Sequence, residues 1–135
     1  MLLHVGGPLS LGALAYVLWP RGIAAEALAA RLGAPALHAF LPRPPAWLLG
    51  HASDALWAYA MGAFVTVLWR DGSPAARRTW TGVAYAAVVL AEVAQRFGWL
   101  PGTFDPLDLL VASVAFGLAV LVTSPSPFLP RRRTA

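Results

Sequence analysis

Asp105 and Asp108 stand three residues apart in "PGTFDPLDLL", at the mouth of a long apolar run. Carboxylates at that spacing share a helix face. Three chemistries are open to them: capping a helix N-terminus, holding a cation, or moving a proton. Asp54 opens another apolar run, and Glu92, Gln95 and Arg96 close a third. Glu92, Gln95 and Arg96 share one helix face with Val88 and Tyr85. One arrangement is an ion-pair network in which Arg96 bridges Glu92 and an aspartate, with Gln95 and His51 as hydrogen-bond partners. Helix capping is the simpler expectation for Asp54 and Asp108. Glu92 lies inside its run and has no helix end to cap. It is either half of a buried structural pair or a ligand or proton site.

No catalytic residue is expected. No nucleophile stands beside a recognisable base, and no glycine-rich phosphate loop follows a strand. Ser53 beside Asp54 and His51 is a sequence neighbourhood rather than a triad. His4 and His38 are isolated, and no two histidines have helical metal-ligand spacing, so no metal site and no cofactor are expected. The chain has no cysteine, which excludes disulfides and thiolate metal centres.

The elements that must position these groups are read from composition. Of 135 residues, 59% are hydrophobic and 12% charged, about half the charged share of a soluble domain. That balance points to an all-α integral membrane protein of one domain. Nucleic acid is not an expected partner, because the net charge of +4 comes from arginines scattered along the chain or gathered at segment ends.

Four apolar stretches follow: Leu2 to Trp19, Ala52 to Trp69, Trp80 to Trp99 and Leu107 to Thr123. Each matches the roughly 20 residues a helix needs to cross about 30 Å of hydrocarbon. The first lacks a basic leader and is read as a retained span rather than a signal peptide. Trp19, Trp69, Trp80 and Trp99 mark span ends, where an amphipathic ring prefers the headgroup level. The connection from Pro20 to His51 carries a short helix, Ile23 to Leu32, ended by Gly33. It either lies on the outer membrane surface or packs as an ordered loop over the helix ends. "LPRPPAWLLG" then breaks helix and returns the chain to the bilayer.

Arginine sets the orientation. Arg70, Arg77 and Arg78 lie between the second and third stretches, and Arg131, Arg132 and Arg133 lie in the tail after Thr123. Against these six, the opposite side carries Arg21, Arg31, Arg43 and Arg96. The positive-inside rule places both termini in the cytoplasm, in a bacterial inner membrane. Every acidic residue near a span then falls in the outer leaflet. Small residues at four-residue spacing offer packing faces: Ala58, Gly62 and Thr66, then Ala87 and Ala91, then Ser113 and Gly117. An alanine-rich chain also produces such spacing by chance.

"SDALWAYA", a Trp-Arg span end and "EVAQRFGWLPGTFDPLDLLVASVAFGLA" together resemble the VanZ-like membrane proteins. The resemblance is closest to a small bacterial branch with an acidic-residue-Leu-Trp segment, a Glu-x-x-Gln pair and a Gly-Thr-Phe-Asp-x-x-Asp segment. Asp54, Trp57, Glu92, Gln95, Gly102, Thr103, Phe104, Asp105, Asp108 and Gly117 occupy the motif positions, and the match covers Ala52 to Ala119. VanZ-like proteins often carry Asn after the last Asp, where this chain has Val111, Ala112 and Ser113. The resemblance implies an integral membrane fold and singles out the outer-leaflet acidic residues. The family's namesake is linked to low-level teicoplanin resistance.

Two functions are expected from these observations. The first is a non-catalytic accessory subunit, packed against a larger membrane assembly such as a respiratory or photosynthetic complex, with lipid and other subunits as partners. The alternative is a VanZ-like envelope protein whose acidic cluster binds a lipid-linked or cationic ligand.

Overall fold

A computed structural model describes residues 2–19, 23–33, 40–100 and 104–124. The fold is all-helical, with no strand among the described residues. A turn of π-helix, Leu2–Gly6, runs into α1, Gly7–Leu18; α2 is Ile23–Arg31, α3 Ala46–Leu68, α4 Pro74–Arg96 and α5 Pro106–Thr123.

Helix α3 is the centre of the bundle. It packs on α1, on α4 and, most extensively, on α5. The core forms where small residues let backbones approach: Ala58 and Val65 of α3, Val88 of α4, and Ala112 and Phe116 of α5. The closest approach is at Gly62, where an added Cβ would lie 2.8 Å from the carbonyl oxygen of Phe116. Buried Thr66 donates its hydroxyl back to the Gly62 carbonyl at 2.8 Å, so its polar group needs no outside partner.

Local chemistry fixes the helix ends. Ser73 accepts the Ala76 N–H at 3.1 Å and Pro74 takes the first helical position, so α4 begins there. It starts six residues before the expected boundary at Trp80, because a cap-and-proline signal starts a helix whether or not the next turn is apolar. At its other end Gly98 takes a left-handed φ of 71°. The Gly98 and Trp99 N–H groups bond the Gln95 and Ala94 carbonyls, which stops α4 at Arg96 rather than Trp99. Helix α3 likewise starts at Ala46 rather than Ala52, directly after Pro45. Helix α5 starts at Pro106, one residue before the expected boundary. The short helix α2 ends at Arg31, followed by Gly33 at φ 69°.

Among the described residues, one of the four expected spans is long and apolar enough to cross a membrane. It is helix α5, with mean hydropathy 2.1 and only 17% of its residues buried. The N-terminal apolar helix, Leu3–Leu18, is shorter. Helices α3 and α4 are longer, at 23 residues each. They carry His51 and Asp54, and Arg77, Arg78, Glu92 and Arg96, within their lengths.

Candidate functional site

Three elements deliver polar groups to one end of the bundle. In α5, Asp105 is the N-cap: its extended backbone (φ −127°, ψ 121°) places Oδ1 to accept the Leu107 N–H at 2.8 Å. Pro106 follows with its φ already set for helix. Asp108 lies in the first turn, where the helix dipole favours negative charge. Its side chain does no capping. It reaches α3, where the Nδ1–H of His51 donates to its Oδ1. Both side chains are nearly enclosed, at 18% and 17% exposure. The three-residue spacing in "DPLD" is thus explained by division of labour: one aspartate starts α5 and the other ties it to α3.

His51, Asp105 and Asp108 each bring one ligand-type atom into a cluster, all within 4.8 Å of one another. The hydrogen bond to Asp108 raises the His51 pKa above its ordinary value. Partial burial opposes this, and the charges of Asp108, Asp105 and Asp54 add to it. From α4, Glu92 faces the same region. It is 7% exposed, and its Oε2 has no hydrogen-bond partner among the described residues. Its carboxylate is within electrostatic reach of Asp54, Asp105 and Asp108. A buried carboxylate oxygen with no donor is rare in native proteins.

Several expectations are corrected by this geometry. Arg96 does not bridge Glu92 to an aspartate. It is the last residue of α4 and is exposed, and Asp108 pairs with His51 instead. Asp54 is not a cap, because α3 begins more than two turns before it. Neither is Asp108, since Asp105 takes that role. Gln95 is half-buried near the end of α4. Gly102, Thr103, His38, Arg21 and the tail arginines lie outside the described residues.

The packing residues divide similarly. Ala58, Gly62 and Thr66 are buried along α3. Ser113 accepts from the Tyr85 hydroxyl at 3.0 Å. Ala91 is half-buried and Ala87 is exposed. A Cβ at Gly117 would meet nothing within 4 Å, so close approach does not require glycine there. Trp69 and Trp80 stack face to face across the α3–α4 turn, 5.5 Å apart. At the other end Trp99 stacks on Phe97, and Trp19 is half-buried after α1. His4 is not isolated; its Nδ1 and the Tyr59 hydroxyl are hydrogen-bonded at 2.9 Å. A groove of about 310 Å³ between α1 and α3, lined by Leu9, Gly12, Tyr16 and Trp57, is apolar and separate from the polar cluster.

The fold and site define an all-helical bundle with a histidine–carboxylate cluster at one end. No protein-family model, no curated protein and no solved structure matches the chain.

Proposed function

We propose that the chain is a small non-catalytic membrane protein of the bacterial inner membrane. In this reading its polar cluster binds a cationic or lipid-linked ligand at the outer side. The observation that carries this reading is the meeting of His51, Asp105 and Asp108 within 4.8 Å, with buried Glu92 within electrostatic reach of both aspartates. A buried polar atom left without a partner costs about 1–3 kcal/mol, and more when it is charged. The VanZ-like segments named above contain Asp54, Glu92, Asp105 and Asp108, so the resemblance and the geometry favour the same groups.

Membrane embedding is supported by α5. Leu107, Leu110, Val114, Leu118 and Leu121 form one continuous exposed stripe along it. An apolar face of that length is covered by lipid or by another protein. That stripe also favours a second reading, in which the chain is an accessory subunit of a larger membrane complex and the cluster is a structural network.

The experiment is purification from the native membrane in mild detergent, with native mass spectrometry of the wild type and Glu92→Gln. A monomer or small homo-oligomer carrying a small ligand that Glu92→Gln loses supports the ligand site. A stoichiometric complex with other subunits, disrupted by the same substitution, supports the accessory subunit.

A further inference from the structure

Asp105, Asp108 and Glu92 bring three carboxylates to one end of the bundle, and among the described residues His51 is the one basic group in contact with them. Arg96, the nearest cation on α4 in sequence, is turned out and exposed. The His51 and Asp108 side chains are less than one-fifth exposed and Glu92 is 7% exposed, while the Asp105 cap is open to solvent. Carboxylates gathered this closely are stabilised by a bound cation or by a proton, and a cation can satisfy several of them at once.

We propose that His51, Asp105 and Asp108 bind one divalent transition-metal ion, with Glu92 as the acceptor behind them. This rests on reading the cluster as a ligand site, and it names the ligand class. The donor set decides the class. Magnesium and calcium take oxygen ligands, whereas an imidazole nitrogen with two carboxylates suits borderline ions such as zinc. Protein ligands bind zinc at about 2.0–2.2 Å. Atoms already within 4.8 Å of one another close on such an ion by side-chain rotation alone. The ion enters between His51 and Asp108 and replaces the proton they share. Asp105 contributes without giving up its cap, since one carboxylate oxygen holds the Leu107 N–H and the other is free to ligate. Glu92 lies outside this three-residue group. Its unpartnered Oε2 serves as acceptor for a water on the ion, which gives the buried carboxylate a role.

The test uses the full chain in detergent, stripped with chelator and titrated with zinc chloride. One zinc per chain is expected, with magnesium and calcium failing to compete at equal concentration. X-ray absorption of the loaded protein should show a nitrogen–oxygen shell at about 2.0–2.1 Å that includes imidazole. Asp108→Asn should weaken binding at least about tenfold and Glu92→Gln by about 10- to 100-fold. Asp105→Asn, which keeps the cap, guards against loss of fold and should also weaken zinc. Failure of the wild type to take up zinc overturns the proposal, as does equal binding of calcium or unchanged affinity in all three variants. If zinc fails but native mass spectrometry still finds a ligand whose retention needs Asp108, the metal is wrong and the ligand site stands. If no ligand is found either, both fall.

Discussion

His51 of α3 and Asp108 of α5, 57 positions apart, hold the two central helices together at their polar end. The His51 pKa is raised by that hydrogen bond and by the surrounding aspartates. A group raised on folding stabilises fully below its unfolded value, about 6.5, and stops doing so as pH rises through the folded value. Chelator-treated protein in detergent should therefore melt at a lower temperature as pH climbs above about 6.5. His51→Gln should flatten this dependence, and a fall of equal size in the variant would assign it to other groups.

Helix approach at Gly62 leaves no room for a methyl group, because the obstacle is the Phe116 backbone carbonyl rather than a flexible side chain. Gly62→Ala should destabilise the bundle by about 1–3 kcal/mol. Gly117→Ala meets open space and should be neutral or stabilising by up to about 1 kcal/mol, since alanine favours helix. Thermal melts of the two variants side by side separate a required glycine from an incidental one.

Asp105 has two roles that substitution can divide. Asp105→Ala removes the cap on α5 and should cost about 0.5–2 kcal/mol. Asp105→Asn retains a capping oxygen and should recover most of that stability in melting experiments, while still lacking the charge a cation needs.

Glu92 should show the opposite sign. Its buried Oε2 lacks a donor, so Glu92→Leu removes a desolvation cost of about 1–3 kcal/mol. The chelator-treated variant should melt at or above the wild-type temperature. A large loss of stability would mean that Glu92 holds the helices together.

What the sequence discloses depends on whether a signal is local. Helix α5 was legible to within one residue because an aspartate–proline cap and an apolar run coincide there. Ala58, Gly62 and Thr66 were legible as a stripe because one helix carries all three. The early starts of α3 and α4 were hidden by hydropathy: the turn after Ser73-Pro74 is polar, although its capping signal is plain. The carboxylate end was visible as a convergence of charges with His51 as a hydrogen-bond partner, but the pairing of His51 with Asp108 was not. Arg96, four residues from Glu92, is the counter-ion that helical spacing offers. The ion pair that forms is instead between Asp108 and His51, from near the start of a different helix. The three clustered groups come from two separate elements, so no metal-spaced motif exists to be read. His4 and Tyr59, 55 positions apart, escaped for the same reason.

The most direct test of a membrane bundle with its polar cluster on the outer side exploits the absence of cysteine. Single cysteines are placed at Leu100, beside the cluster end, and at Asp71, in the α3–α4 turn; both positions are exposed. Intact cells are treated with a membrane-impermeant maleimide, and membranes are then recovered. Leu100→Cys should label in intact cells, and Asp71→Cys only after permeabilisation. Labelling of Asp71→Cys but not Leu100→Cys would invert the orientation, and recovery of the chain in the soluble fraction would contradict membrane embedding.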